Sequence, residues 1–281
     1  MRMICAVSRT AKREAEPILF HTVAFTGSDH NRIVSWATRI ESSAHVARMV
    51  HSLMLPEMCT IPSDSQVDFF LLLAGAFRKV VNLKALFIAR QSCNLPPGTP
   101  VVHAWMLKGC QFQLHTFFGR PRGFKPIDLW WFFYEQPEIR EWTTGRHPFG
   151  NAAFLPNGIL PRLSVVNMTP TNGEEALNML INLARRPIER LSFRSDPIMP
   201  LHQFGSPTLF QPFELTLTHL SLEASGAFSP QPVDTIVEVT AQLPRLKFFS
   251  WFSYHFRKVS SYISHSTYLS YHINNFCTDI I

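Results

Sequence analysis

A short alternating pattern that returns along the chain constrains its fold more than any other feature. Its clearest copy covers residues 215–223, where leucines alternate with threonine, histidine and serine, and a shorter copy covers residues 243–249. Such alternation of apolar and polar residues is typical of a strand with one buried face. Residues 232–242, between the two copies, carry apolar residues at helical spacing. One strand and one helix, repeated, predict a solenoid.

The copies recur at intervals that can be counted between their second apolar residues. These residues are, in order, Leu53, Leu86, Phe117, Trp142, Leu163, Leu191, Leu220 and Leu246. The intervals are 33, 31, 25, 21, 28, 29 and 26 residues, whereas leucine-rich repeats run at about 20 to 29 residues with one strand each. We therefore predict an α/β leucine-rich-repeat-like solenoid, with parallel strands on the concave face and helices outside.

An ordinary α/β domain with a parallel sheet is the alternative, because its strands also follow helices. Two of the intervals exceed the usual repeat length, and the asparagine ladder of regular repeats is not recognised. Against this alternative, glycine-rich turns between strand and helix, which a doubly wound fold favours, are not recognised either.

Helices are predicted between the strands from apolar periodicity and from the residues that begin them. The residues predicted to begin helices are Asp29, Ser65, Pro126 and Asn172. At the N-terminus we predict a short basic helix, then a break at Pro17 and a strand that ends near Phe25. The chain thus opens with a short helical segment ahead of the first repeat.

The composition indicates a folded chain. Charged residues make up only 16% of the 281 residues, against about a quarter in most soluble proteins. A formal net charge of +6 permits an acidic partner without requiring nucleic acid, and no nucleic-acid partner is expected. The longest strongly apolar run, residues 69–77, is too short for a membrane span. No membrane partner is therefore expected, and we predict a cytoplasmic or nuclear location.

Motifs for catalysis, metal binding or cofactor binding are not recognised in the sequence. The five cysteines share no short spacing, which indicates neither a zinc site nor a disulfide framework. No two of the twelve histidines lie four residues apart, as helical metal ligands do. The serines lack a Gly-x-Ser-x-Gly turn. We therefore predict a protein that is not an enzyme and that binds no metal and no cofactor.

Six short segments, rich in leucine and other apolar residues, are the basis of a resemblance. They are residues 15–25, 45–55, 112–117, 135–142, 217–222 and 243–246. The first resembles the segment that follows the F-box in the fungal family of F-box and leucine-rich-repeat-like proteins. The others resemble short leucine-containing segments of the same family. The resemblance implies a curved array of strand–helix units. In that family the array is the substrate-recruiting end of a Skp1–cullin–F-box ubiquitin ligase.

The same resemblance implies a division of the chain. An F-box begins with a Leu-Pro-x-Glu-like helix that docks on Skp1, whereas this sequence resembles only the latter part of that module, at residues 4–13. We expect residues 1–26 to be a partial F-box-like segment, residues 27–257 the leucine-rich-repeat-like domain and residues 258–281 an irregular C-terminal tail. With an incomplete F-box, the sequence leaves the binding of a Skp1-like adaptor open.

A binding surface follows from the strand pattern. Residues that flank the buried positions of a strand point to the opposite face, which is concave in a solenoid. In the last three strands, the flanking residues predicted to bind a partner are Arg190, Arg194, His219, Arg245, Lys247 and Phe249. Because most of them are basic, we predict that they bind an acidic segment of a partner protein. The early strands place Met54 and Phe87 on this face, which predicts apolar contact there.

Three classes of function remain open on the sequence. The first is a protein-interaction scaffold, the substrate-recognition part of a Skp1–cullin–F-box ubiquitin ligase. The second is a truncated relative that folds but recruits nothing, and the third is an enzyme or a nucleic-acid binder. The basic residues also have a plainer interpretation, as charges that are merely solvated beside the strands.

Overall fold

Two compact units make up the chain, the first formed by residues 1–145 with 156–163 and the second by residues 146–155 with 164–281. The computed structural model describes residues 9–25, 30–89, 99–119, 126–144, 156, 158–169, 173–195, 210–225 and 240–254. In both units parallel strands follow helices, so the predicted α/β class is confirmed. The expected tail, residues 258–281, lies outside the described residues.

The first unit is built on five parallel strands. Its elements are, in chain order, α1 (Arg9–His21), β1 (Thr22–Ala24), α2 (His30–Ser42), α3 (Ala44–Met49), β2 (Ser52–Pro56), β3 (Met58–Cys59), a 3-10 turn (Ser63–Ser65), α4 (Gln66–Lys79), β4 (Ala85–Ala89), β5 (Thr99–Pro100), α5 (Ala104–Leu107), β6 (Thr116–Phe118), α6 (Pro126–Glu135) and β7 (Glu141–Thr143). Its sheet has the order β1-β2-β4-β6-β7, and the pairs are parallel. β3 and β5 form a separate antiparallel pair.

The second unit contains four parallel strands in the order β8-β9-β10-β11. Its elements are β8 (Val165–Met168), α7 (Gly173–Leu183), β9 (Arg190–Ser195), a 3-10 turn (Gln211–Phe213), β10 (His219–Ser225) and β11 (Phe248–Tyr254). In each unit a strand of the parallel sheet lies beside the next one in the chain, as short connections favour. The helix expected within residues 232–242 lies largely outside the described residues.

Four helices begin within one residue of the positions that the sequence indicated. α2, α4, α6 and α7 start at or directly after Asp29, Ser65, Pro126 and Asn172. The expected break at Pro17 is wrong, because α1 continues through it to His21. Proline fixes a φ that suits a helix, and inside one it costs a single amide donor and crowding against the carbonyl of residue 13, which this helix tolerates. The first strand is correspondingly shorter than predicted.

A column of buried side chains runs through the sheet of the first unit. Leu53 lies opposite Leu86, and Leu86 lies opposite Phe117. Phe117 in turn lies opposite Trp142, against which the ring of Phe133 on α6 packs with a centroid distance of 5.0 Å. All of these side chains are buried. The second apolar positions of the first four copies are thus confirmed as one column, and the hydrophobic effect stabilises it together with the helices that cover it.

In the last copy the column has a different member from the one that the spacing indicated. Leu191 lies opposite Leu220 as predicted, but Leu220 lies opposite Phe249 and not Leu246. Leu246 is buried three residues earlier, in the segment that leads into β11. The assignment of Leu246 to the same place in its copy as Leu220 is therefore wrong. Phe249, predicted on the exposed face, is turned inward and is 6% exposed.

The same shift of three residues occurs in the copy before β9. Val166, not Leu163, lies opposite Leu191, while Leu163 is buried ahead of the strand. In both copies three apolar residues follow one another at a spacing of three, so that spacing alone does not tell which pair enters the strand. With the corrected members, counted from Leu53 to Phe249, the intervals are 33, 31, 25, 24, 25, 29 and 29 residues.

A repeated hydrogen-bond pattern sets the register of neighbouring strands. The carbonyl oxygen of the residue just before a strand accepts from two successive backbone amides at the start of the next strand. Lys84 O, for example, accepts from His115 N at 2.7 Å and from Thr116 N at 3.0 Å. In the second unit Thr218 O accepts from Lys247 N at 2.9 Å and from Phe248 N at 3.1 Å. Each strand therefore starts at a position fixed by its predecessor.

A buried glutamine side chain provides hydrogen bonds to the backbone of the segment ahead of β6. The amide oxygen of Gln136, which is 1% exposed, accepts from Leu114 N at 2.8 Å. Its amide nitrogen donates to Phe112 O at 3.1 Å. Gln136 thereby satisfies one donor and one acceptor of a buried segment that would be costly to leave unpaired. Sequence reasoning missed this role, because an isolated glutamine after a helix gives no signal of it.

Gly119, directly after β6, is required where two strands end side by side. Its φ is +105°, and a β-carbon there would lie 2.4 Å from Ile88 O. Its own amide donates to Thr143 O at 2.9 Å. Gly109 also has a positive φ, of +73°, but a β-carbon there would have no neighbour within 4 Å. A β-carbon at Gly109 would cause backbone strain alone, whereas one at Gly119 would cause both strain and steric overlap.

We expect Gly119→Ala to destabilise the protein by more than about 3 kcal/mol, because strain and a clash with backbone add together. Gly109→Ala, the matched control, should cost only about 1–2 kcal/mol for its backbone conformation. Urea unfolding followed by circular dichroism measures both. Equal losses of stability in the two variants would contradict the close approach of Gly119 to β4.

Candidate functional site

The exposed side of the second unit's sheet presents side chains in rows across the strands. In the first row, Arg190 lies opposite His219 and His219 lies opposite Phe248. Arg194 lies opposite Glu223 in a later row. Neighbouring strands in a sheet are about 4.8 Å apart, so residues from distant parts of the sequence become adjacent. We call these five residues, together with the adjoining Lys247, the C-terminal strand face.

The six residues that the sequence indicated for partner binding are placed differently from one another. Arg190, Arg194 and His219 lie on the C-terminal strand face. Lys247 is exposed directly ahead of β11, and Arg245 is exposed in the turn before it. Phe249 does not belong to the surface, because it points into the core. Its neighbour Phe248 takes that place and is 41% exposed.

The cations of this surface differ in how far they are neutralised. Arg194 Nε lies 3.2 Å from Glu223 Oε1, with the two side chains 65% and 20% exposed. Arg245, in the turn ahead of β11, keeps its charge, and its Nη1 donates to Leu215 O at 2.7 Å. For Arg190 and Lys247 the described part of the chain provides no carboxylate within ion-pair distance. Within the C-terminal strand face, these two are the cations that no described carboxylate neutralises.

His219 lies between these charges and is hydrogen-bonded on one side. Thr218 Oγ1 donates its single hydrogen to Glu189 O at 3.0 Å and lies 2.9 Å from His219 Nδ1. Thr218 must therefore accept from Nδ1–H, which leaves Nε2 of the neutral ring as an acceptor. The ring also packs on Phe248 with a centroid distance of 5.8 Å. Burial lowers the pKa of His219, Arg190 and Lys247 lower it further, and Glu189 opposes them.

The first unit carries an apolar row on the exposed side of its sheet. Met54 lies opposite Phe87, and Phe87 lies opposite Phe118 with their rings 6.1 Å apart. All three side chains are half-buried. We call them the N-terminal apolar row. Met54 and Phe87 thus lie on the side of the sheet where the sequence placed them, and apolar contact with a partner there stays a prediction.

A basic stripe at the start of the first unit's strands was missed by the sequence reasoning. It consists of Lys84, His115 and Arg140, each just ahead of a strand. The backbone places the three side by side, since Lys84 O accepts from His115 N at 2.7 Å and His115 O accepts from Arg140 N at 2.8 Å. Burial lowers the pKa of His115, as do Lys84, Arg140 and Arg162, whereas Glu138 raises it. The signal was available, because each of the three directly follows the first buried apolar residue of its copy, as Lys247 does. For these early copies the prediction considered only residues within the strands, such as Met54 and Phe87.

The described surfaces bear charge and apolar area rather than reactive groups. Burial raises the pKa of the Cys59 thiol to about 11 and is the main cause that raises that of Cys110 to about 12. Both thiols are therefore protonated near neutral pH and are weak nucleophiles. Among the residues that the structure describes, no group of three or more histidines, cysteines or carboxylates could hold a metal ion.

Comparisons of the chain with family models, with curated proteins and with solved structures found no match. Within the described ranges, none of the helices has the length and apolar character needed to cross a lipid bilayer.

We expect an NMR titration to place the pKa of His219 below the usual histidine value of 6.5, because burial and two neighbouring cations disfavour the charged ring. Lys247→Gln removes one of these cations and should raise the pKa. Glu189→Gln removes the opposing carboxylate and should lower it. Arg185→Gln is the control, because it also replaces one charged side chain with a neutral one, at a residue that does not act on His219.

The sign of the effect on stability follows from the same shift. The unfolded chain binds this proton near pH 6.5, and the folded chain binds it only at lower pH. His219 therefore costs no stability above pH 6.5 and an increasing amount as the pH falls below that value. A pKa at or above 6.5, or no response to Lys247→Gln, would contradict the described arrangement.

Proposed function

We propose that the chain is a protein-interaction scaffold, built as a leucine-rich-repeat-like solenoid, whose exposed strand surface binds an acidic segment of a partner protein. The observation that carries this proposal is the row formed by Arg190, His219 and Phe248 with Lys247 beside it. Two cations without a carboxylate partner in the described chain stand beside a half-buried ring and an exposed aromatic side chain. Such a surface suits carboxylates interspersed with apolar groups.

The solenoid is supported by the repetition itself. Each copy has a buried residue ahead of its strand and a second buried residue three positions later, and six carbonyl oxygens ahead of strands in the described chain each accept two amides of the next copy. The strands follow one another in the order of the chain, with helices between several of them. These are the features of repeat proteins in which each unit contacts its neighbours. Repeat proteins commonly bind partners along the exposed strands.

The first unit carries a second candidate surface of its own, formed by the N-terminal apolar row. Met54, Phe87 and Phe118 supply contact area, and the basic stripe of Lys84, His115 and Arg140 lies just ahead of β4, β6 and β7. Each unit thus offers both charge and apolar contact. A partner segment that carries acidic residues and a few large apolar residues would match either surface.

The resemblance to fungal F-box and leucine-rich-repeat-like proteins supports a more specific role. We propose that the chain is the substrate-recognition part of a Skp1–cullin–F-box ubiquitin ligase in the cytoplasm or nucleus. Capture of the adaptor would need the F-box helix that the resemblance does not include. The alternative is a relative that folds and binds no partner, and the experiment below separates the two.

Affinity capture from cell extract, followed by mass spectrometry, tests both parts of the proposal. We expect the chain to retain a reproducible set of partners rich in acidic segments, and to retain Skp1 only when a complete F-box is fused ahead of residue 4. Arg190→Glu with Lys247→Glu should release those partners and weaken the salt dependence of capture, because both charges are exposed. The melting temperature should stay nearly unchanged.

Arg48→Glu with Arg185→Glu is the matched control, since it makes the same change in net charge at exposed residues away from both strand surfaces. It should leave capture intact. Partners that survive the reversal of Arg190 and Lys247 would discard the proposed surface. A fused chain that captures no Skp1 would discard the ligase role, and a chain that captures nothing specific would favour the non-recruiting relative.

A further inference from the structure

The outer strand of the first unit has an unpaired edge. β1 pairs with β2 on one side, through Phe25 N to Met54 O at 3.0 Å and His51 N to His21 O at 3.0 Å. Backbone groups of successive strand residues point in opposite directions. Since His21 and Phe25 face β2, the N–H and C=O groups of Thr22 and Ala24 face away from it. In the part of the chain that the structure describes, no strand pairs with this edge.

A cleft of about 610 Å³ opens beside this edge, between the end of α1, β1 and α2. Its apolar wall includes Phe20, Val23, Phe25 and Trp36. A segment that pairs with the edge could therefore bury alternate side chains against an existing apolar surface. Edges of this kind are the sites at which extended peptides add to sheets.

Two arginines of α2 border the cleft and determine what kind of segment suits it. Arg32 and Arg39 both line it and are exposed. Residues seven apart in a helix share one face and lie about 10.5 Å apart along the axis. Within the described ranges neither guanidinium has a carboxylate within ion-pair distance. The cleft is thus basic as well as apolar.

We propose that the edge of β1 binds an extended acidic peptide of a partner protein, which adds to the sheet as an outer strand and pairs its carboxylates with Arg32 and Arg39. An extended chain advances about 3.3 Å per residue and turns every second side chain to the same side. Carboxylates two to four residues apart on one side of the peptide match the spacing of the two arginines. This site is separate from the C-terminal strand face and does not depend on the function proposed for it.

A fluorescein-labelled nine-residue peptide of valine and threonine, with two glutamates four residues apart, is the probe. Fluorescence anisotropy should show saturable binding that weakens as salt is raised, because Arg32 and Arg39 are exposed. Arg32→Glu with Arg39→Glu should weaken the affinity at least about tenfold. The same peptide with lysines in place of the glutamates should not bind.

Ala24→Pro tests the backbone pairing separately from the charges. It removes the outward-facing N–H of residue 24 and leaves the donors that face β2, so that it should abolish binding with little change in melting temperature. Ala24→Val keeps the N–H and should retain binding. Should Ala24→Pro fail to fold, the reversal of the two arginines still decides the matter, with Arg48→Glu and Arg185→Glu as the equal-charge control.

Several outcomes would overturn this inference. One is the absence of saturable binding to the native chain, and another is binding that neither Ala24→Pro nor the arginine reversal alters. A third is a dimer, measured by sedimentation, that Ala24→Pro converts to monomer, because a second copy of the chain would then be the occupant of the edge. Reversal of Arg190 and Lys247 should leave peptide binding unchanged, so this site and the proposed strand surface can fail independently.

Discussion

A carbonyl oxygen placed just ahead of a strand accepts two amide hydrogens from the next copy, and the rest of the fold depends on this contact. It recurs at His51, Lys84 and His115 in the first unit and at Ser164, Glu189 and Thr218 in the second. Because both amides at the start of a strand are committed to one oxygen, the strand cannot slip by a residue. A slip would turn every buried side chain to the exposed face. The contact therefore holds the apolar column inward and the charged rows outward.

The surfaces follow from that register. Arg190, His219 and Phe248 are distant in the sequence and become neighbours only because three strands start in line. Lys84, His115 and Arg140 become neighbours for the same reason, since each lies just ahead of its strand. A repeat thus converts single residues into rows of charge without any local motif. Exposed rows of this kind contribute little to stability, which leaves them available for recognition.

The sequence predicted the α/β class, the starts of four helices and the inward column of the first unit, because these depend on apolar periodicity that is local to each copy. It failed at Leu246 and Leu163, where a third apolar residue at the same spacing made two registers equally periodic. The roles of Gln136 and Gly119 could not be read from the sequence either. Both depend on contacts with strands or loops more than twenty residues away.

The most direct test of this account is residue-resolved hydrogen exchange at the paired amides. In each pair, such as His115 with Thr116 or Lys247 with Phe248, both amides donate to one carbonyl oxygen. We predict that both exchange at least about a hundredfold more slowly than in the unfolded chain, although Lys247 and Phe248 carry exposed side chains. Exchange of either member at the unfolded rate would show that the strands do not start in this register, and the rows of charge would lose their physical basis.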